Sequence, residues 1–220
     1  ALSINAEFNW HSCKLGDIPI VNNPSHYPEY WSPQDPGQVL QPLKFNPAST
    51  WAANGTRAKV IRSHKNFLFA LGMTEVGVEL PTTYRWSHPA DINGLPYTWD
   101  ETDLGAIAGK ASVSGSGGAL VDGLSLRDSF CLYSENSITI LDYIGGEFIW
   151  KARLLSPTHG LLARGAIVEA MGVHYFMSST DILANDGNSI RSILTSRVKT
   201  KLQAELDLNN SQNTFAHINQ

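Results

Sequence analysis

Charge is what this chain has least of. Asp, Glu, Lys and Arg make up 16% of its 220 residues, against about a quarter in an ordinary soluble domain, so its surface is polar more than ionic. A net charge of −4 argues against a general nucleic-acid binder, which needs Lys and Arg clustered tightly enough to neutralise phosphates. The densest basic run, residues 191–201, reads as a solvated helix face. Cysteine is nearly absent too. Cys13 and Cys131 lie far apart with no Cys-x-x-Cys or Cys/His cluster, which leaves no zinc framework. Cys131 falls inside an apolar strand and reads as a small buried hydrophobe, and a chain of this size needs no disulfide staple.

Long apolar runs are missing: none approaches the roughly 20 residues of a membrane span. No signal peptide opens the sequence. It begins at Ala1 without methionine and stops at Gln220 just where a new strand is expected, so a piece of a longer protein is anticipated.

Catalytic signatures are missing as well, with no HExxH, GxSxG, P-loop or GxGxxG. Ser-Gly-Ser-Gly-Gly at 114–118 is followed by no helix that could hold a phosphate at its N-terminus, and reads as a flexible tip. Asp100, Glu101 and Asp103 stand beside Tyr97 and Trp99. Two carboxyls flanking a sugar stacked on an aromatic is the glycosidase arrangement. The favoured reading here is plainer: the acids cap a turn in solvent and Trp99 packs the loop down. His88 and Asp91 read as structural hydrogen bonding around His88-Pro89. The sequons at Asn54 and Asn209 require a secretory route. No enzyme, cofactor or metal is expected.

What the chain does have is strand signal. Residues 129–133 read as one strand, 134–137 as a polar turn and 138–143 as a second strand. Along that second strand Ile138 and Ile140 should face one way and Thr139, Leu141 and Tyr143 the other. Gly145-Gly146 can take the positive φ of a reversal, and 147–155 should return as a third strand. Residues 59–71 give two more strands around a turn at 63–66, and 84–87 another. Residues 166–170 and 174–177 flank Met171-Gly172, with 181–184 next and a turn at Asp186-Gly187. This is an antiparallel meander, repeated.

An aliphatic pair, a polar turn and an aromatic strand recur from Val60, Leu120 and Ile167, with a fourth copy expected near Phe215. Spacings of that order match propeller blades, about 40–50 residues each, with insertions. The predicted fold is all-β, with antiparallel meanders stacked as β-propeller-like blades and a β-sandwich as the alternative. Residues 1–57 form a loop-rich segment that could hold a partial blade, with Pro19 favouring an edge strand at 18–21. Residues 58–190 hold the blades. Leu194, Val198, Leu202 and Leu206 recur every four residues, predicting a helix over 191–208. Residues 209–220 begin a further strand.

Several peptides in 58–193, well over half of the chain, resemble tail structural proteins of tailed bacteriophages. They are Lys59-Val60-Ile61-Arg62, Lys65-Asn66-Phe67-Leu68, Arg85-Trp86-Ser87-His88-Pro89-Ala90-Asp91 and Leu95-Pro96 with Trp99-Asp100. Val121-Asp122-Gly123-Leu124, Tyr133-Ser134-Glu135-Asn136-Ser137 and Asp186-Gly187-Asn188 follow in order. The likeness is to the propeller-bearing nozzle, or tail tubular protein B, of short-tailed phages. It implies a virion component made in the host bacterial cytoplasm, one subunit of a symmetric ring in the tail through which the genome leaves. The implied partners are copies of itself and other tail proteins on the adaptor and portal side, with tail fibres as further candidates and DNA only in passing. A mildly acidic lumen would let DNA pass without holding it.

Contacts are expected on inserted loops: residues 27–31, 86–103 and the tip at 112–118. The individual interface candidates are Tyr30, Trp31, His88, Asp91, Tyr97 and Trp99. The alternative is a carbohydrate-binding or glycoside-processing propeller with Tyr30, Trp31, Tyr97 and Trp99 as a sugar platform. A third reading is an interaction scaffold outside phages.

Overall fold

The computed structural model describes residues 10–33, 37, 39–91, 94–146 and 148–219. The chain divides into two compact units, Ala1–Val113 and Ser114–Gln220. The first unit opens with β1 (His11–Leu15), β2 (Ile18–Asn22), β3 (Glu29–Tyr30) and β4 (Gln41–Pro42), paired in that order as one antiparallel sheet. A two-strand ribbon follows, β5 (Lys44–Asn46) and β6 (Ser49–Thr50). Its second sheet is β7 (Thr56–His64), β8 (Phe67–Glu75), β9 (Val78–Trp86) and β10 (Gly109–Ser112).

The second unit repeats the plan. β11 (Leu120–Leu126), β12 (Ser129–Ser134), β13 (Ile138–Tyr143) and β14 (Trp150–Ser156) make one sheet. β15 (Ile167–Ala170), β16 (Val173–Met177), β17 (Ile182–Asn185) and β18 (Ile190–Ser192) make the next. A short helix, α1 (Ser196–Glu205), comes after them.

The expected fold class holds: the protein is all-β, built of four-stranded antiparallel blade-like sheets with one short helix near the C-terminus. Every strand in each four-stranded sheet neighbours the next in sequence. Such meanders lack the Greek-key crossings that a sandwich of the alternative type uses. Within the first unit β1 and β2 lie against β7, and within the second β11 lies against β15. First strand thus meets first strand, as in adjacent propeller blades.

One turn recurs in all four sheets. Leu15↔Ile18, His64↔Phe67, Leu126↔Ser129 and Ala170↔Val173 each close a two-residue loop between the first and second strands. The first loop residue is left-handed every time: Gly16 (φ 58°), Lys65 (52°), Arg127 (55°) and Met171 (53°). Only Gly16 adopts that backbone without steric cost.

The phase of the repeat differs from expectation. The fourth sheet, β1–β4, lies in the N-terminal segment expected to be able to hold a partial blade, while the strand expected after Phe215 is not found among the described residues of 209–219. β3 and β4 are two residues each in a proline-punctuated stretch, so their apolar signal is too short to register. The helix is also shorter than its leucine stripe. Ile190–Ser192 is edge strand β18, Leu194 precedes the helix and Leu206 caps its end, and no helix residue is buried. What holds α1 is polar: Lys199 to Asp181 at 2.8 Å and Gln203 to the Thr180 carbonyl at 3.1 Å.

β13 departs from simple alternation. Ile138 to Leu141 are buried on both faces, because β12 and β14 flank the strand and apolar layers cover it. Gly145 (φ 67°) and Gly146 (φ 74°) make the reversal, and the return strand starts at Trp150. Both cysteines are free, and burial pushes the Cys131 thiol up to about 12.

In the second unit the core centres on Tyr133, whose ring meets Phe176 edge-on at 5.1 Å. Asn185 donates to the Tyr133 oxygen at 2.8 Å, and Tyr133 in turn donates to His174 Nδ1 at 2.9 Å. His174 Nε2 then donates to the Ser125 carbonyl at 2.8 Å. Every site is filled only while His174 is neutral. Burial lowers its pKa from the ordinary value, against the Ser125 carbonyl and the Glu169 charge, which act the other way. The unfolded chain therefore takes up this proton first as pH falls, and the unit is destabilised below about pH 6.5. Protection factors at the β16 amides, corrected for the intrinsic exchange rate at each pH, should fall between pH 7 and 5, and His174→Gln should flatten that dependence.

Candidate functional site

The longest insertion in the first unit leaves the end of β9 and folds on itself before β10. The Ser87 hydroxyl accepts from Leu68 N at 3.0 Å, and Ser87 N donates to the Leu68 carbonyl at 3.0 Å. His88 N donates to Thr98 O at 2.9 Å and Asp91 N to Leu95 O at 2.9 Å, while Ala90 bridges Pro96. The loop is thus a small hairpin of its own. A Cβ on Gly94, near its tip, would lie 3.1 Å from the Ile18 side chain, so the tip rests on β2.

Two anchors fix the loop's base. Trp99 is fully buried, its ring edge-on to Trp51 at 4.9 Å, and its backbone N–H donates to the Phe45 carbonyl at 2.7 Å. Arg85, also buried, donates through Nε to Glu75 at 2.8 Å, through Nη1 to the Trp99 carbonyl at 3.3 Å, and to both oxygens of Glu101. Lys110 closes the cluster, 3.2 Å from Glu75 and 3.1 Å from Glu101. Burial alone would raise both carboxyls. Their Arg85 and Lys110 partners outweigh it and hold them below the ordinary value.

Between this loop and the first sheet lies an open groove of about 400 Å³. Tyr30, Leu43 and Lys44 line one side, and Asp91, Pro96 and Tyr97 the other. Tyr97 is held from behind: its ring packs at 4.6 Å on His88, and its hydroxyl donates to Asp103 at 3.4 Å. His88 Nδ1 accepts from Ile107 N at 3.2 Å, and burial keeps its pKa low against the nearby Asp103 charge.

Of the six residues singled out in the sequence, Tyr30, Asp91 and Tyr97 therefore share one groove, with His88 behind it. Trp31 lies off it, half-buried, its N–H on the Pro19 carbonyl at 3.0 Å. Trp99 has no exposed surface and packs the loop down onto Trp51, as the favoured reading of its loop expected, which corrects its place among the interface and sugar-platform candidates. Lys44 carries no signal of a site in the sequence, a lone cation between apolar Leu43 and Phe45 at the start of a three-residue strand.

The acids near Trp99 are spoken for. Asp100 accepts from Thr102 N and Oγ1 at 2.9 and 2.7 Å, Glu101 pairs with Arg85, and Asp103 accepts from Gly105 N at 2.9 Å. At the 114–118 tip Ser114, Gly115 and Ser116 are exposed while Gly117 is buried. Gly115–Gly117 forms a 3-10 turn, and a Cβ on Gly117 would meet Ser137 Oγ at 2.0 Å. The turn at 134–137 is the hub it packs on. Glu135 N donates to Ala119 O at 3.0 Å, Asn136 N to Gly117 O at 2.8 Å, and Leu161 N to Ser134 O at 3.0 Å.

No protein-family model matches the chain, and no curated protein matches it. Among the described residues no group of three or more His, Cys, Asp or Glu could hold a metal ion, and no helix is long and apolar enough to cross a membrane.

Proposed function

We propose that this chain is a structural subunit of a bacteriophage tail, part of a symmetric ring of its own copies that bounds the path of the genome. The observation behind the reading is the fourfold repeat of one blade-like sheet, with the phage-like peptides at its ordered turns. Residues 85–91 leave β9 for the long loop, 134–137 form the β12–β13 turn, and 186–188 lie in the β17–β18 turn. A rigid array of hairpins with long inserted loops suits a permanent assembly, in which loops reach neighbours.

A second observation supports assembly. Around the β13–β14 hairpin Tyr143, Ile144, Phe148 and Leu154 are exposed, Phe148 at 72%. Apolar side chains gathered at one sheet edge mark an interaction surface. Adaptor, portal-side and fibre proteins are the proposed neighbours, with no catalytic role assigned.

Cryo-electron microscopy of particles purified from the source of this chain is the test. The expected result is blade density in a symmetric ring on the tail axis with this side-chain sequence. Recovery of the chain only as a free monomer, absent from every particle, ends this reading, and a basic lumen wall in the ring ends the idea of an indifferent channel.

A further inference from the structure

We infer that the groove between Tyr30 and Tyr97 is a binding site for a neutral saccharide. The site lies beyond the structural role proposed above and stands or falls independently of it. Three properties of the groove point to this ligand class. The first is size, since about 400 Å³ falls in the range of small-molecule pockets, about 300–1,000 Å³.

The second is the mixture of groups in the wall. A pyranose ring presents C–H faces and hydroxyl edges, so it needs flat apolar surfaces beside strong hydrogen-bonding groups. Tyr30, Tyr97 and Pro96 supply the former, and Ser32, Lys44 and Asp91 the latter. Among the described residues one carboxylate and one ammonium leave the lining without net charge, which favours neither an anion such as a phosphate nor a cation. The strands behind it, β2 and β3, are each paired on both sides, so they offer no open backbone edge to a peptide strand.

The third is preorganisation. Tyr97 is held by His88 and Asp103 on a loop whose base is locked by Trp99 and Arg85. Tyr30 sits in a strand paired with Ile20 on one side and Gln41 on the other. Platforms fixed before binding lose little freedom on contact. With one carboxylate in the wall among the described residues, the arrangement fits binding better than two-carboxylate hydrolysis.

Saturation-transfer difference NMR on the full chain tests this, with lactose, cellobiose, trehalose and N,N′-diacetylchitobiose as probes. At least one disaccharide should receive saturation on its ring C–H protons. Tyr97→Ala should weaken that binding about tenfold, which is about 1.4 kcal/mol. Tyr97→Phe keeps the ring and should retain binding, while Asp91→Asn, on an exposed side chain, should weaken it without disturbing the fold. Absence of transfer to all four probes overturns the inference. So does binding that Tyr97→Ala and Asp91→Asn both leave unchanged.

Discussion

Arg85→Met should lower the stability of the first unit by about 3 kcal/mol, the lower end of what removing one partner from a buried ion pair costs. The side chain it replaces is 5% exposed, and the carboxylates left behind, on Glu75 and Glu101, are only 19% and 29% exposed. Their partial access to water and the remaining Lys110 keep the loss from being larger. Tryptophan fluorescence in urea reads it well, because Trp10, Trp31, Trp51, Trp86 and Trp99 all belong to this unit and Trp150 alone to the other.

Adding Glu75→Gln and Glu101→Gln to the Met variant should restore much of the lost stability, since the cost is the stranded charge more than the missing bond. In the unaltered protein both carboxyls are held below the ordinary value on folding. Their contribution is therefore complete above the unfolded carboxylate range and lost as pH falls through the lowered values. A Met variant with the urea midpoint of the parent would show that the cluster does not hold the loop.

Gly160→Ala carries the second large effect. A Cβ at Gly160 would lie 2.0 Å from the Glu135 carbonyl oxygen and 2.4 Å from Asn136 N. These are backbone atoms, so no rotamer change relieves the contact. The turn at 134–137 must move, and with it the hydrogen bonds that Asn136 and Leu161 make. The expected loss is about 3 kcal/mol, the upper end for overpacking, with hydrogen-exchange protection gone at those two amides. Gly146→Ala is the control. Its Cβ would meet nothing within 4 Å, but φ is +74°, so only the left-handed penalty of about 1–2 kcal/mol applies. Equal protection in Gly160→Ala and parent would mean the turn is not the hub.

How much of this was legible in the sequence follows from how local each signal is. β12, β13, β15 and β16 were readable because an apolar strand, a polar turn and a second strand lie side by side. The two-residue turn between first and second strands is legible within 63–66 and at Met171-Gly172 but not at Arg127-Asp128, where an arginine takes the left-handed position in which glycine or asparagine would have announced it. Tyr30, Asp91 and Tyr97 were picked for aromatic or charged character in loops, and the fold does bring them together. Trp99 reads in the sequence as packing its loop down and does lie in the core, but its partner Trp51 is distant in sequence and only the folded chain joins them. Loop composition foretold a loose tip at 114–118. Two glycines there permit close approach to Ser137 and Glu135, which composition alone does not distinguish from flexibility.

The meander order has a kinetic consequence. Each sheet is finished before the next one begins, with β4 ending at Pro42, β10 at Ser112, β14 at Ser156 and β18 at Ser192. Pairing of this kind has low contact order within a blade, so little loop-closure entropy precedes the first stable contacts. During synthesis each hairpin set can therefore close soon after its last strand emerges, and only contacts of the kind β1 makes with β7, or β11 with β15, await the following sheet. A nascent chain that has emerged as far as Ser156 would already present a completed β11–β14 sheet, with Val121 and Leu126 uncovered until β15 arrives.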